Sequence, residues 1–129
     1  MANSKMILTY ELSRQERRQL EALAREFSIL LKPVAPSQYR QSLGFLCKIT
    51  GMKPTPSSPA AIQAFPEPVL VFSGLDDALL DAFLGRCREE SCLASCLKAV
   101  LTPVNIFWNS IQLYEELTRE RNAIKKLPT

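Results

Sequence analysis

A chain of 129 residues, 47% hydrophobic and 22% charged, has the make-up of one folded domain or of two very small halves. Its net charge of +3 is too small to call for a polyanionic partner, and with no histidine anywhere it holds neither a Ser-His-Asp nor a Cys-His catalytic set. No apolar stretch approaches the length of a membrane span, and the apolar run in "MANSKMILTYELSRQERR" is too short for a signal peptide, which points to a cytoplasmic protein.

The first element is a strand in "KMILTYEL". Ser13 then opens a helix, because Ser13-x-x-Glu16 is a capping box: the serine oxygen takes an amide proton three residues on and Glu16 reaches back. Leu20, Leu23, Ala24 and Phe27 follow at helical spacing, leaving Arg14, Arg17, Arg18, Glu21 and Arg25 for water. "ILLKPV" reads as a second strand. "APSQYRQSLGFLCKI" reads as a second helix, with Ser37 as its candidate cap and Tyr39, Leu43, Leu46 and Cys47 turned inward.

"GMKPTPSSPAAIQAFPEP" holds five of the nine prolines, so it cannot run as a central strand or as one helix. It reads as a linker over 51–67 between halves at 1–50 and 68–129, with Ile62 and Phe65 placed to fasten it to the core.

The second half repeats the order of the first. "PVLVFSGL" is a strand, Asp76 caps a helix, and Leu75 and Leu80 are spaced as a hydrophobic staple. Leu79, Leu80, Phe83, Leu84 and Cys87 form that helix's apolar side, and "CLKAVLT" is the fourth strand. Asn109 then caps a last helix over 110–125, with Gln112 completing a capping box and Trp108 and Leu113 as the two ends of a staple. Its inward residues are Ile111, Leu113, Tyr114, Leu117 and Ile124, and Lys125 and Lys126 suit its negative end. Leu12 over Leu75, Ser13 over Asp76 and Leu20 over Phe83 share one offset, 63. The pattern predicts an α/β fold of two βαβα repeats with parallel crossovers, forming a four-stranded sheet with packed helices, duplicated about a pseudo-twofold.

"LVFSGLDDALLDAFL" followed by "KAVLTPVNIFWNSIQLYEEL" resembles the bacterial family known as domain of unknown function 3783. The resemblance spans about residues 68–122 and rests on Leu101, Thr102, Pro103, Asn105, Trp108 and Leu113. It implies an α/β domain and brings no catalytic residues across.

Residue patterns that could carry chemistry are nearly absent from the sequence. The four glycines, at 44, 51, 74 and 85, are scattered and form no phosphate-binding loop. Cys47, Cys87, Cys92 and Cys96 lack the spacing of a zinc or iron–sulfur site and read as buried thiols, so no metal and no cofactor are expected. Asn105, Thr102 and Trp108 remain as candidate ligand or partner residues, Asn105 being either a turn residue or a contact. Residues 1–58 carry nine Lys/Arg against four Glu, whereas 59–129 carry seven against nine acidic residues, so two halves or two copies can attract each other. The sequence reading is therefore a non-enzymatic protein-interaction or regulatory domain with a protein partner or as a homodimer. The alternatives are weak nucleic-acid binding through the basic first helix, which the interleaved Glu16, Glu21 and Glu26 disfavour, and a small-molecule-binding domain.

Overall fold

Met6–Tyr10 (β1) and Val69–Ser73 (β3) are buried along their whole length and lie side by side at the centre of a sheet. In the computed structural model, which describes residues 5–56, 62–91 and 93–126, the flanking strands are Leu30–Pro33 (β2) and Leu97–Val100 (β4). Strand order is β2-β1-β3-β4, parallel within each outer pair and antiparallel at the centre, where Leu8 faces Val71. Strands buried on both faces read as unbroken apolar runs, which is how "MIL" and "VLVF" stand in the sequence.

The two faces are covered differently. Arg14–Glu26 (α1) and Asp77–Glu89 (α3) lie over the face carrying Ile7, Leu70 and Phe72, and they bury Leu20, Leu23, Ala24, Phe83 and Cys87 there. The predicted caps hold them: the Ser13–Glu16 box is formed in both directions, at 2.9 and 3.1 Å, and the Asp76 carboxylate accepts the Leu79 amide at 2.7 Å. The other face, with Met6, Leu8, Tyr10, Val69 and Val71, is covered by Leu43–Leu46 (α2), Ser110–Lys126 (α4) and the proline-rich segment. Leu113 is buried on this face, and Ile111, Tyr114 and Leu117 pack against the same cluster. Expectations for Cys92 and for the side chains of Ile124, Lys125 and Lys126 lie outside the described residues.

One expected helix is corrected. The stretch after β2 is not a helix capped by Ser37. Pro36–Gln38 forms a 3₁₀ turn, and α2 starts later, with the Ser42 hydroxyl accepting the Phe45 amide at 3.1 Å. The residues between are taken by the other half: the Tyr39 carbonyl accepts from Ser110 at 3.0 Å, and the Leu43 amide donates to the Trp108 carbonyl at 2.8 Å. A backbone committed to this short antiparallel bridge, Ser42 opposite Asn109, cannot also close helical hydrogen bonds.

The linker is fastened more firmly than its prolines suggest. The Phe65 ring stacks between Tyr39 and Tyr114, with centroids 4.2 and 4.4 Å away and planes tilted by 19° and 10°. Tyr39 comes from the first half and Tyr114 from the second, so one linker ring joins both. Each tyrosine is anchored at its far end, the Tyr39 hydroxyl donating to Glu11 at 2.7 Å and Tyr114 to Glu67 at 2.9 Å. Arg121 holds Glu67 at 2.6 Å. Nearer the first half, Gln41 binds both backbone groups of Thr55.

Burial on this face also fixes ionisation. The Cys47 thiol is pushed up from 9.0 to about 11 by burial, while Ser73 and Lys32 offset only part of that rise. The Ser73 hydroxyl lies near the thiol but outside hydrogen-bonding geometry, so burial dominates. A neutral thiol favoured by folding contributes stability that is present below pH 9 and lost as pH rises toward 11. The urea midpoint should therefore fall across that window, and Cys47→Ala should flatten part of the fall.

Phe65→Ala removes a half-buried ring and both stacks, and should cost about 2–3 kcal/mol. Gln63→Ala, at an exposed neighbour, should stay within about 0.5 kcal/mol of the parent. Thermal melts of the two variants check this.

Candidate functional site: the Thr102–Trp108 turn

Beyond β4 the chain turns through Thr102-Pro103-Val104-Asn105 into a 3₁₀ turn at Asn105–Phe107 and then into α4. Thr102 and Asn105 clamp it reciprocally. The Asn105 side-chain oxygen accepts the Thr102 amide at 2.7 Å, and the Thr102 hydroxyl accepts the amides of Asn105 and Val104 at 3.0 and 3.3 Å. The Asn105 amide nitrogen donates to the Val100 carbonyl at 3.0 Å. Asn105 is 8% exposed and bonded through both ends of its amide. Its side chain holds the turn, the local bonding that makes asparagine a frequent turn residue.

Trp108 follows, half-buried and packed against the cluster that contains Leu113. Its backbone ties α2 to α4 through Leu43. Asn109 and Gln112 form the predicted capping box, at 2.8 and 2.9 Å. Ser110 is buried with its hydroxyl 2.7 Å from that of Tyr10, whose own ionisation burial pushes far upward. The structure thus brings Thr102 and Asn105 into direct contact and places Trp108 one short turn further, on the core side.

Facing solvent on the same turn are two residues that sequence reading passed over. Val104 is 69% exposed and Phe107 68%, and Val100, at the end of β4, is 42% exposed. With Leu30 on the opposite edge, they are the large hydrophobic side chains left in water among the described residues. The one signal in the sequence was Val104's place just before a self-bonded asparagine; no local signal marked Phe107, two residues beyond it.

Both edges of the sheet are guarded. Leu97 and Leu101 donate to Pro68 and Phe72, so Lys98 and Val100 turn their backbone groups outward, and Asn105 occupies the Val100 carbonyl. On the other edge Leu30 and Val34 donate to Lys5 and Thr9, which leaves Leu31 and Pro33 outward, and Pro33 has no N–H. Capped or donor-less edge groups work against strand addition, so a contact at this turn would be made by side chains.

The grooves lie elsewhere. One of about 620 Å³ runs beside the aromatic stack, lined by Arg40, Gln63, Phe65, Ile111, Tyr114 and Glu115. Another, of about 330 Å³, opens at the carboxyl ends of β1 and β2, where Glu11 sits at a φ of 55° with its carboxylate engaged by Tyr39. Among the described residues no three Cys, Asp or Glu side chains gather as metal ligands, and Cys47, Cys87 and Cys96 are buried thiols. No helix among them is long and apolar enough to cross a membrane.

What the turn and its surroundings define is an α/β domain with helices on both faces of a mixed sheet and a clamped apolar projection at one edge. Residues 68–124, which hold β3, α3, β4, the turn and most of α4, match the family described as Domain of unknown function (DUF3783). No curated protein and no solved structure matches the chain.

Asn105→Ala leaves the Thr102 amide and the Val100 carbonyl without partners and should cost about 2 kcal/mol, more than an exposed turn residue would. Asn105→Asp keeps the acceptor but loses the donor and sets a carboxylate against a carbonyl, so it should be no more stable than the alanine variant. Trp108→Ala should cost about 2–3 kcal/mol, below the 3–5 of a fully buried aromatic. Urea unfolding of the three variants measures all of this.

Proposed function

We propose that this chain is a non-enzymatic interaction domain, cytoplasmic and built by duplication, that meets a protein partner through Val104 and Phe107. The observation that carries the reading is the exposure of these two side chains on a turn whose hydrogen bonds are all spent on rigidity. Large apolar groups held in water on a fixed backbone lose little freedom on docking, the economy that marks contact residues. Thr102, Asn105 and Trp108 act here as the scaffold of the contact.

The duplication reading is supported by equivalences at the offset of 63. β1 and β3 have five residues each and α1 and α3 thirteen. The caps Ser13 and Asp76 correspond. So do the positive φ values of Glu11 and Gly74, 55° and 78°, and of Ser28 and Ser91, 56° and 52°. The antiparallel β1–β3 pair is what a twofold between the halves produces. Beyond the outer strands the offset changes; matched on their 3₁₀ turns, Pro36–Gln38 and Asn105–Phe107, the halves put Ala35 and Gln38 where Val104 and Phe107 stand, so on this reading the second copy of the turn region carries the contact.

The test is a photo-reactive phenylalanine analogue at position 107 in living cells, with the same analogue at exposed Ala94 as control. The reading expects one discrete protein adduct at 107, lost on Val104→Ser, with melting unchanged. Equal labelling from both positions, or none, overturns it. A small molecule retained on the purified protein in native mass spectrometry would favour the ligand-binding alternative instead.

A further inference from the structure

The α1–α3 layer carries an unused charge pattern. Its two helices run in opposite directions, since each returns from one of two antiparallel strands. Contacts between them agree: Glu16 meets Cys96, past the end of α3, and going forward along α1 to Glu26 the partner moves back along the chain to Arg86. The start of α1 and the start of α3 therefore lie at opposite ends of one outward surface. Arg14, Arg17 and Arg18 are exposed at the first end, and Asp77 and Asp81 at the second. None of the five has an ion-pair partner among the described residues, whereas Arg86, between the poles, is bound by Glu26, Glu89 and Glu90.

The helices do not need the arginines there. Three cations in the first turns of α1 face the positive end of its dipole, where positive charge is disfavoured, while Asp77 suits its own helix. A face with a basic pole and an acidic pole on one chain is complementary to itself. A second copy laid on it about a twofold axis places each pole on its opposite, so every favourable pairing is made twice. A nucleic acid would find three arginines interleaved with Glu16 and Glu21, and an acidic pole on the same face.

We infer that the α1–α3 face pairs with the same face of a second copy of this chain, through Arg14, Arg17 and Arg18 of each against Asp77 and Asp81 of the other. This contact is separate from the one at Val104 and Phe107, so either stands or falls without the other.

Two charge-reversed proteins test it by sedimentation. One carries Arg17→Glu and Arg18→Glu, the other Asp77→Lys and Asp81→Lys. All four sites are exposed, so both proteins should stay folded, the arginine variant melting near or above the parent and the aspartate variant slightly below it, because Asp77 suits the start of its helix. The parent should dimerise, more weakly as salt is raised. Each variant alone should associate on the order of tenfold or more weaker than the parent, since every cross-pair made by a reversed residue with its unreversed counterpart becomes repulsive. Mixed one to one, they should restore a heterodimer, because the reversed poles match again. A parent that stays monomeric at high concentration, variants that dimerise like the parent, or a mixture that does not recover each overturns the inference. So does a parent that remains monomeric until duplex RNA or DNA is added.

Discussion

The antiparallel pairing of β1 with β3 is the constraint from which the rest of the molecule follows. It runs through five residues a side with Leu8 opposite Val71 at its centre, and both strands are buried on both faces. Each half alone has one two-stranded parallel sheet, too small to shield its own apolar strand; joined along this line, the two form four strands with their most apolar pair in the middle. Because the pairing is antiparallel, the helices after the central strands share one face and the turn-and-helix segments after the outer strands share the other. The α1–α3 layer, the Phe65 stack and the bridge between Ser42 and Asn109 are all consequences of that arrangement.

The two faces then do different work. On the α1–α3 side the contact is mostly apolar, with Phe83 lying edge-on to both Phe27 and Phe72. The opposite side is knit by polar anchors set among aromatic rings: Tyr10 with Ser110, Tyr39 with Glu11, Tyr114 with Glu67. A buried tyrosine gives ring area to the core but must place its hydroxyl. The Tyr10–Ser110 anchor crosses from one half to the other, and the other two hold the tyrosines between which Phe65 stacks, so together they make this face specify one arrangement of the halves. Gly44 shows how close the fit is: a side chain there would come within 3.0 Å of the Ile106 carbonyl and 2.9 Å of Met52.

The clamped turn joins packing to surface. Asn105 spends one side chain on two tasks, fixing the Thr102 turn and covering the edge carbonyl of Val100. An uncovered carbonyl at that edge would invite strand addition; covered, it leaves the side chains of Val104 and Phe107 as what the edge presents. Rigidity inside the turn and apolar exposure outside it are thus two sides of the same hydrogen-bond pattern.

The sequence by itself determined the elements whose signals are local. The capping boxes at Ser13 and Asn109, the cap at Asp76, the apolar runs of the central strands and the helical stripes of α1 and α3 need only neighbours three or four residues away, so they stood in the chain and formed as read. The second helix was misplaced because its start depends on Trp108 and Ser110, some seventy residues on, which take the backbone groups of Leu43 and Tyr39. The turn's residues were legible and the face it offers was not: Asn105 announced a local bond or a ligand, but which apolar neighbour is left in water depends on what packs above it. Strand order, the antiparallel join, the ring of Phe65 between two tyrosines and the poles of the α1–α3 face were decided by tertiary structure alone, because each is a relation between segments that share no local signal and meet only when both have apolar surface to bury.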